Sequence, residues 1–197
     1  MKSLNRTLIL LAIGLSLFII VVSCSKGKAV SHNQITGYVF SQMFGSSEKN
    51  VLERIEDLKE VSDFTLFQEF TDEQQNEIKV YSMNETTGTF QYLVYLGFVK
   101  KNGSWIMNSC EKKGTGQAFS ENGIQSLSEE YNRLCKTYGE PEYTEFDDKV
   151  FSDLLSSDRP VDRTANWPGS KGHPTAVFSI QIDEEGCSLY IMEREKD

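Results

Sequence analysis

Apolar residues recur along this chain with two different periods. Near 46–59, Val51, Leu52, Ile55 and Leu58 fall at offsets 0, 1, 4 and 7, one face of a helix. Glu48, Glu53, Glu56 and Asp57 lie off that face, and Ser46 or Ser47 can cap the start. A longer stripe, Ile124, Leu127, Tyr131, Leu134, Cys135 and Tyr138, predicts a second helix over about 121–138. Gly139 provides its C-terminal cap and Pro141 forbids continuation. Phe146, Val150, Phe151, Leu154 and Leu155 suggest a third, shorter helix.

The remaining apolar positions are of β type. Residues 64–70 are rich in Phe and Thr, 77–82 alternate, and 90–99 form a dense β-type run. Lys100-Lys101-Asn102-Gly103 predicts a hairpin, because Asn-Gly supplies the positive φ of a type I′ turn, with 105–108 returning. At the end, Phe178, Ile180 and Ile182 alternate with polar residues, Asp183 to Gly186 turns, and Cys187, Leu189 and Ile191 alternate again. Residues 111–117, rich in Lys and Gly, and the polar stretch 159–166 read as loops, as does 168–174. The predicted class is α+β: antiparallel sheet with helices packed on one face. The order looks like a loose duplication of a helix–β–β–β unit, with half-repeats 35–117 and 118–197 in a domain spanning 35–197.

The first 23 residues follow another pattern. Lys2 and Arg6 precede an uncharged, almost wholly apolar run from Leu8 to Val22. As a helix, that run spans about 22 Å, short of a bilayer core of about 30 Å. A short apolar run after a basic start is the pattern of a secretory signal. Val21-Val22-Ser23-Cys24 resembles the lipobox of bacterial lipoproteins. The resemblance implies cleavage between Ser23 and Cys24, thioether lipidation of Cys24 with fatty acyl (palmitate-type) chains, and a tether over 24–34. Two or three long chains, at about 0.8 kcal/mol per buried methylene, make attachment effectively permanent. An uncleaved anchor is the alternative, and in both cases the body lies outside the cytoplasm. With Ser25 after Cys24 and no acidic cluster in 25–28, the resemblance implies sorting to the outer membrane, facing the periplasm. In the body, Phe44-Gly45-Ser46 and Tyr138-Gly139-Glu140-Pro141 are similar to boundary motifs of small envelope lipoproteins, including the outer-membrane assembly and β-lactamase-inhibitor-like repeat types. That likeness implies a fold class and no activity.

Charge narrows the partners. The net charge over 197 residues is −9, and removing the two bases of residues 1–23 leaves −11. Such a body should not bind nucleic acid. Catalytic chemistry finds little material. His32 falls in the tether and His173 on a Gly/Pro loop, there is no Gly-Xaa-Ser-Xaa-Gly motif, and Gly114-Thr115-Gly116 is too short for a phosphate loop. The acid pairs Glu129/Glu130, Asp147/Asp148 and Glu184/Glu185 read as solvated faces; Asp147/Asp148 with Asp153 lacks the spacing of a calcium loop. No catalytic residue, metal site or cofactor is assigned.

Cys110, Cys135 and Cys187 allow at most one bridge. Cys135–Cys187 is awkward across a helix–sheet gap of about 10 Å, and Cys110–Cys187 requires neighbouring strands. The favoured reading is three unpaired thiols, two of them buried. Tyr81, Tyr92, Tyr95 and Tyr190 are candidates for a shared outer sheet face, either paired across strands or binding protein. The expected role is therefore non-catalytic: a membrane-anchored protein that binds another envelope protein or serves as a scaffold. An inhibitor or immunity-type lipoprotein against a basic envelope hydrolase is the alternative, and a hydrolase using Asp147 and Asp148 ranks last.

Overall fold

A computed structural model describes residues 32–33, 36–88, 90–116, 121–147, 149–154, 160–169, 175–184 and 186–195. The tether residues 25–31, the Ser23–Cys24 junction, Asp148, Leu155, His173 and Glu185 lie outside them. Among the described residues the fold is mostly antiparallel sheet with helices, which agrees in part with the expected α+β class. A short pair, β1 (His32–Asn33) and β2 (Gly37–Tyr38), and a 3₁₀ turn (Phe40–Met43) lead to helix α1 (Glu48–Glu56). Four strands follow: β3 (Val61–Thr71), β4 (Glu77–Thr87), β5 (Phe90–Lys101) and β6 (Ser104–Gly116). Then come α2 (Glu121–Tyr138), β7 (Tyr143–Thr144), the single turn α3 (Val150–Asp153), β8 (Val161–Trp167), β9 (Ala176–Asp183) and β10 (Gly186–Arg194).

One antiparallel sheet of eight strands runs in the order β3-β4-β5-β6-β10-β9-β8-β7. The helices lie on one side of it. Val51 and Ile55 of α1, and Ile124, Leu127 and Leu134 of α2, are buried, and so are Met83, Val94, Leu96, Phe98, Phe178, Ile180 and Leu189, which share one face of the sheet. The expected helix start holds, since Asn50 N–H donates to Ser47 Oγ at 3.4 Å. Asn102 and Gly103 have φ of 52° and 80°, as a type I′ hairpin requires.

Two segments expected as loops are strand. β6 continues through 111–116, and the lysine and glycines there have specific reasons. Lys112 is buried beside Glu85, with Nζ 2.5 Å from Oε2. A Cβ on Gly114 would lie 2.1 Å from the Tyr92 ring, and one on Gly116 2.6 Å from the Phe90 ring. Both glycines are places where an aromatic ring of β5 lies across the neighbouring strand. β8 takes up 161–167, because Ala165 and Trp167 are buried while Asp162, Thr164 and Asn166 turn to the opposite face.

Candidate protein-binding face

Strand alternation assigns each side chain of the sheet to the helix-covered side or to the opposite, open side. Tyr95 sits opposite Ser82 on β4 and Glu111 on β6. Glu111 is in turn opposite Met192 of β10, and Lys113 opposite Tyr190. Tyr190 faces Ser179 of β9, whose hydroxyl accepts a hydrogen bond from Thr164 of β8 at 2.9 Å. These residues share the open side. Tyr95 and Tyr190 are two strands apart, about 10 Å at the usual spacing. Between them Lys113 Nζ is 2.9 Å from Glu111 Oε1 and 5.8 Å from the centre of the Tyr190 ring. On the β3 side Phe67 packs edge-on against Tyr95, ring centres 5.4 Å apart, and Leu93 is 39% exposed. The result is a band of aromatic and neutral polar groups with one central ion pair.

The electrostatics of the band are mild. Burial first, then the Glu111 carboxylate, pushes the Tyr190 phenol above its usual value, while Lys113 and Arg194 oppose. The hydrogen bond to Glu111, with its charge, holds the Lys113 ammonium above its usual range. The phenol and the ammonium therefore both keep their protons at neutral pH, leaving donors, acceptors and ring faces on offer.

The four expected tyrosines do not share one face. Tyr81 and Tyr92 point to the helix side, because Tyr81 is opposite Leu96 and Tyr92 opposite Glu85 and Gly114. The Tyr81 hydroxyl donates to Glu48 Oε1 of α1, and its ring stacks on Phe64 at 4.8 Å. Tyr92 is 2% exposed, with the Lys112 ammonium 4.7 Å from its ring centre. Tyr92 is part of the core and Tyr81 is half-buried on the helix side, so only Tyr95 and Tyr190 remain on the candidate face.

The acid pairs also divide. Glu129 is exposed and accepts from Gln125 at 2.9 Å. Glu130 is buried, contrary to the expectation of a solvated face. Arg133 explains it: Nε and Nη2 donate to the Glu130 carboxylate at 2.9 and 2.6 Å, and Nη1 and Nη2 donate to Glu193 at 2.9 and 2.7 Å. The Tyr138 hydroxyl donates to Glu193 at 3.0 Å. Burial alone would lower the Arg133 pKa, but the bonds and charge of the two glutamates hold it above its ordinary value. The i, i+3 spacing of Glu130 and Arg133 was a visible signal of this pair. Asp147 serves the backbone, its Oδ1 accepting from Lys149 and Val150 N–H at 2.9 Å each. Among the described residues no three His, Cys, Asp or Glu side chains group as metal ligands. Nor is any helix there long and apolar enough to cross a membrane.

Cys110, Cys135 and Cys187 form no disulfide, with Cys110 and Cys187 buried and Cys135 half-buried. β6 and β10 are indeed neighbours, but Cys187 is opposite Gly116 and Cys110 opposite Glu193. Six residues of strand separate the two sulfurs' positions, about 20 Å at 3.4 Å per residue. Burial raises the Cys110 thiol well above its usual value, so it stays protonated and inert.

No family model matches the chain, and neither a curated protein nor a solved structure matches it.

Proposed function

We propose that this chain is a lipid-anchored protein of a bacterial envelope that binds another envelope protein through the open side of its sheet. The observation that carries the binding part is the band from Phe67 and Tyr95 through Glu111–Lys113 to Tyr190, which lies on the side the helices leave bare. Partly exposed tyrosine rings with polar tips suit a protein interface, where aromatic groups are enriched. The anchor rests on Val21-Val22-Ser23-Cys24 at the end of a short apolar run, with Cys24 as the lipidated residue and the outer membrane, facing the periplasm, as its place. The strand order supports the loose duplication: each half opens with a helix, forms a meander, and ends on the strand, β6 or β10, that joins the halves. A second reading, an inhibitor or immunity-type protein against a basic envelope hydrolase, draws on the charge of −11 that remains without residues 1–23, which would steer such an enzyme towards the protein.

The test has two arms. Mass spectrometry of protein extracted from membranes should find an acylated Cys24 as the first residue. Photo-crosslinking groups placed at Tyr95 and at Tyr190 in the full chain should capture the same envelope protein, and one at Lys136 on α2 should not. Tyr95→Ala with Tyr190→Ala should abolish capture without lowering the melting temperature. An intact Met1 terminus, or adducts from 95 and 190 no different from those at 136, would overturn the corresponding half of the proposal.

A further inference from the structure

The two ends of the sheet are built differently. β7 closes one end with two residues, Tyr143 and Thr144. β3 closes the other with eleven, and among the described residues nothing pairs with its outer side. A long bare edge exposes a row of backbone donors and acceptors, and proteins usually blunt it with lysine, proline or shortness. β3 contains neither lysine nor proline. It does contain irregularities, at Ser62–Thr65 and Leu66–Gln68, but from Gln68 to Thr71 it runs in regular register with Val80 to Glu77. Residues 65–71 are all exposed.

The side chains on that edge are the wrong kind for an edge meant to stay bare. Five large apolar side chains are exposed among the described residues, and three of them are Leu66, Phe67 and Phe70, at 50, 59 and 43%. Leu66, opposite Tyr81, projects to the helix side; Phe70, opposite Ile78, and Phe67, against Tyr95, project to the open side. Apolar groups thus flank the bare backbone on both faces, where a further strand would lay its own side chains.

Charge identifies the occupant. Residues 60–77 carry six acids, Glu60, Asp63, Glu69, Asp72, Glu73 and Glu77, and no base. Lys79 lies 3.3 Å from Glu69 and Lys100 2.7 Å from Glu77, and two lysines against six acids leave the segment net negative. A second copy of this chain would set one acidic edge against another, so self-pairing is disfavoured. We propose that β3 is a docking strand that accepts an extended segment of another protein, one alternating lysine or arginine with apolar residues, by backbone pairing along the edge. This stands independently of the open face, which could fail as a binding surface while the edge still pairs.

The experiment uses the full lipidated chain in nonionic detergent and three synthetic eleven-residue probes. The first alternates Lys with Val and Ile, the second replaces each Lys by Glu, and the third is the first with proline at two central positions. Anisotropy titrations should show the basic probe binding at least tenfold more tightly than the other two, and weakening as salt rises. Amide hydrogen exchange should slow over 64–71 when it binds. Phe70→Ser should reduce its affinity severalfold with the melting temperature unchanged, and so should the independent charge reversal Glu73→Lys. Equal binding of the proline probe would reduce the effect to charge attraction and overturn the proposal. Absence of binding would do so too, as would protection confined to other strands, or a dimer that protects 64–71 without any probe.

Discussion

Lys112 offers the sharpest test of the fold. Its ammonium is 2.5 Å from Glu85 Oε2, donates to the Thr36 and Tyr38 carbonyls at 2.5 and 3.1 Å, and lies over the rings of Tyr92 and Phe40 at 4.7 and 5.3 Å. Glu85 Oε1 accepts from the Tyr38 N–H at 2.6 Å. The side chains of Lys112 and Glu85 are 5% and 1% exposed, so the pair clamps the entry segment 36–40 to the sheet in a place water does not reach. Lys112→Met keeps the aliphatic stem and deletes the charge. Glu85 is then a buried, uncompensated anion and two carbonyls lose a donor. Breaking a buried pair on one side costs roughly 3–5 kcal/mol. For a body of this size 1 kcal/mol moves the melting temperature by roughly 2–4 °C, so a drop of about 6–20 °C is expected. Adding Glu85→Gln removes the stranded charge and leaves a carbonyl to accept from Tyr38. The double variant should recover at least ~2 kcal/mol of the loss, because a neutral buried amide costs far less than an unpaired carboxylate. Thermal melts of the full chain by circular dichroism in nonionic detergent read both numbers. If the double variant melts no higher than Lys112→Met, the loss is one of packing and the charge reasoning is wrong.

Three further outcomes follow from the same geometry. Arg133→Met removes the shared cation from Glu130 and Glu193, each with a side chain 3% exposed, and should cost at least ~3 kcal/mol in the same melts, with Arg133→Lys losing less. Gly114→Ala places a methyl group 2.1 Å from the Tyr92 ring and should cost about 1–3 kcal/mol; in a Tyr92→Val background the penalty should largely vanish, a coupling that a double-mutant cycle measures. Burial first, then Glu85 for Tyr92 and Glu193 for Tyr138, pushes both phenols far above the ordinary value of 10.0. Above pH 10 the unfolded phenols lose protons that the folded ones keep, so the stability present in full below pH 10 should fall by about 1.4 kcal/mol per pH unit per tyrosine, and Tyr92→Phe should make that slope shallower.

Much of the architecture was legible because local patterns agreed with tertiary placement. The apolar stripes of α1 and α2, their caps and the Asn102-Gly103 turn carry their own periods and stereochemistry. The missed strand segment 111–116 was hidden because its core-facing positions are Lys112, Gly114 and Gly116, none of which is an apolar side chain. What makes them suitable, Glu85 and the rings of Tyr92 and Phe90, lies on β4 and β5 and is invisible to a local reading. The tyrosine grouping failed for a simpler reason. Tyr92 and Tyr95 are an odd number of residues apart in one strand, so a period of two already sends them to opposite faces. The side of Tyr81, by contrast, depends on the register of β4 against β5, which no single strand states.

The distribution of buried charge bears on function. Lys112 with Glu85, and Arg133 with Glu130 and Glu193, both lie on the helix side of the sheet. Each ties an added element to the strands: the entry segment through the Thr36 and Tyr38 carbonyls, and α2 through Arg133. Polar groups buried there must stay paired, so that side tolerates little change. The open side carries no such obligation, since its Glu111–Lys113 pair is solvated and Tyr95 and Tyr190 are only partly covered. Exposed substitutions away from caps and buried pairs move stability by roughly 0.5 kcal/mol or less. The sheet thus separates its residues by face: the buried ion pairs that tie α2 and the entry segment to the strands point one way, and the residues proposed to meet a partner point the other. A variant at Tyr95 or Tyr190 that lost binding while melting normally would therefore report recognition itself, whereas the same loss at the buried Tyr92 would report only a damaged core.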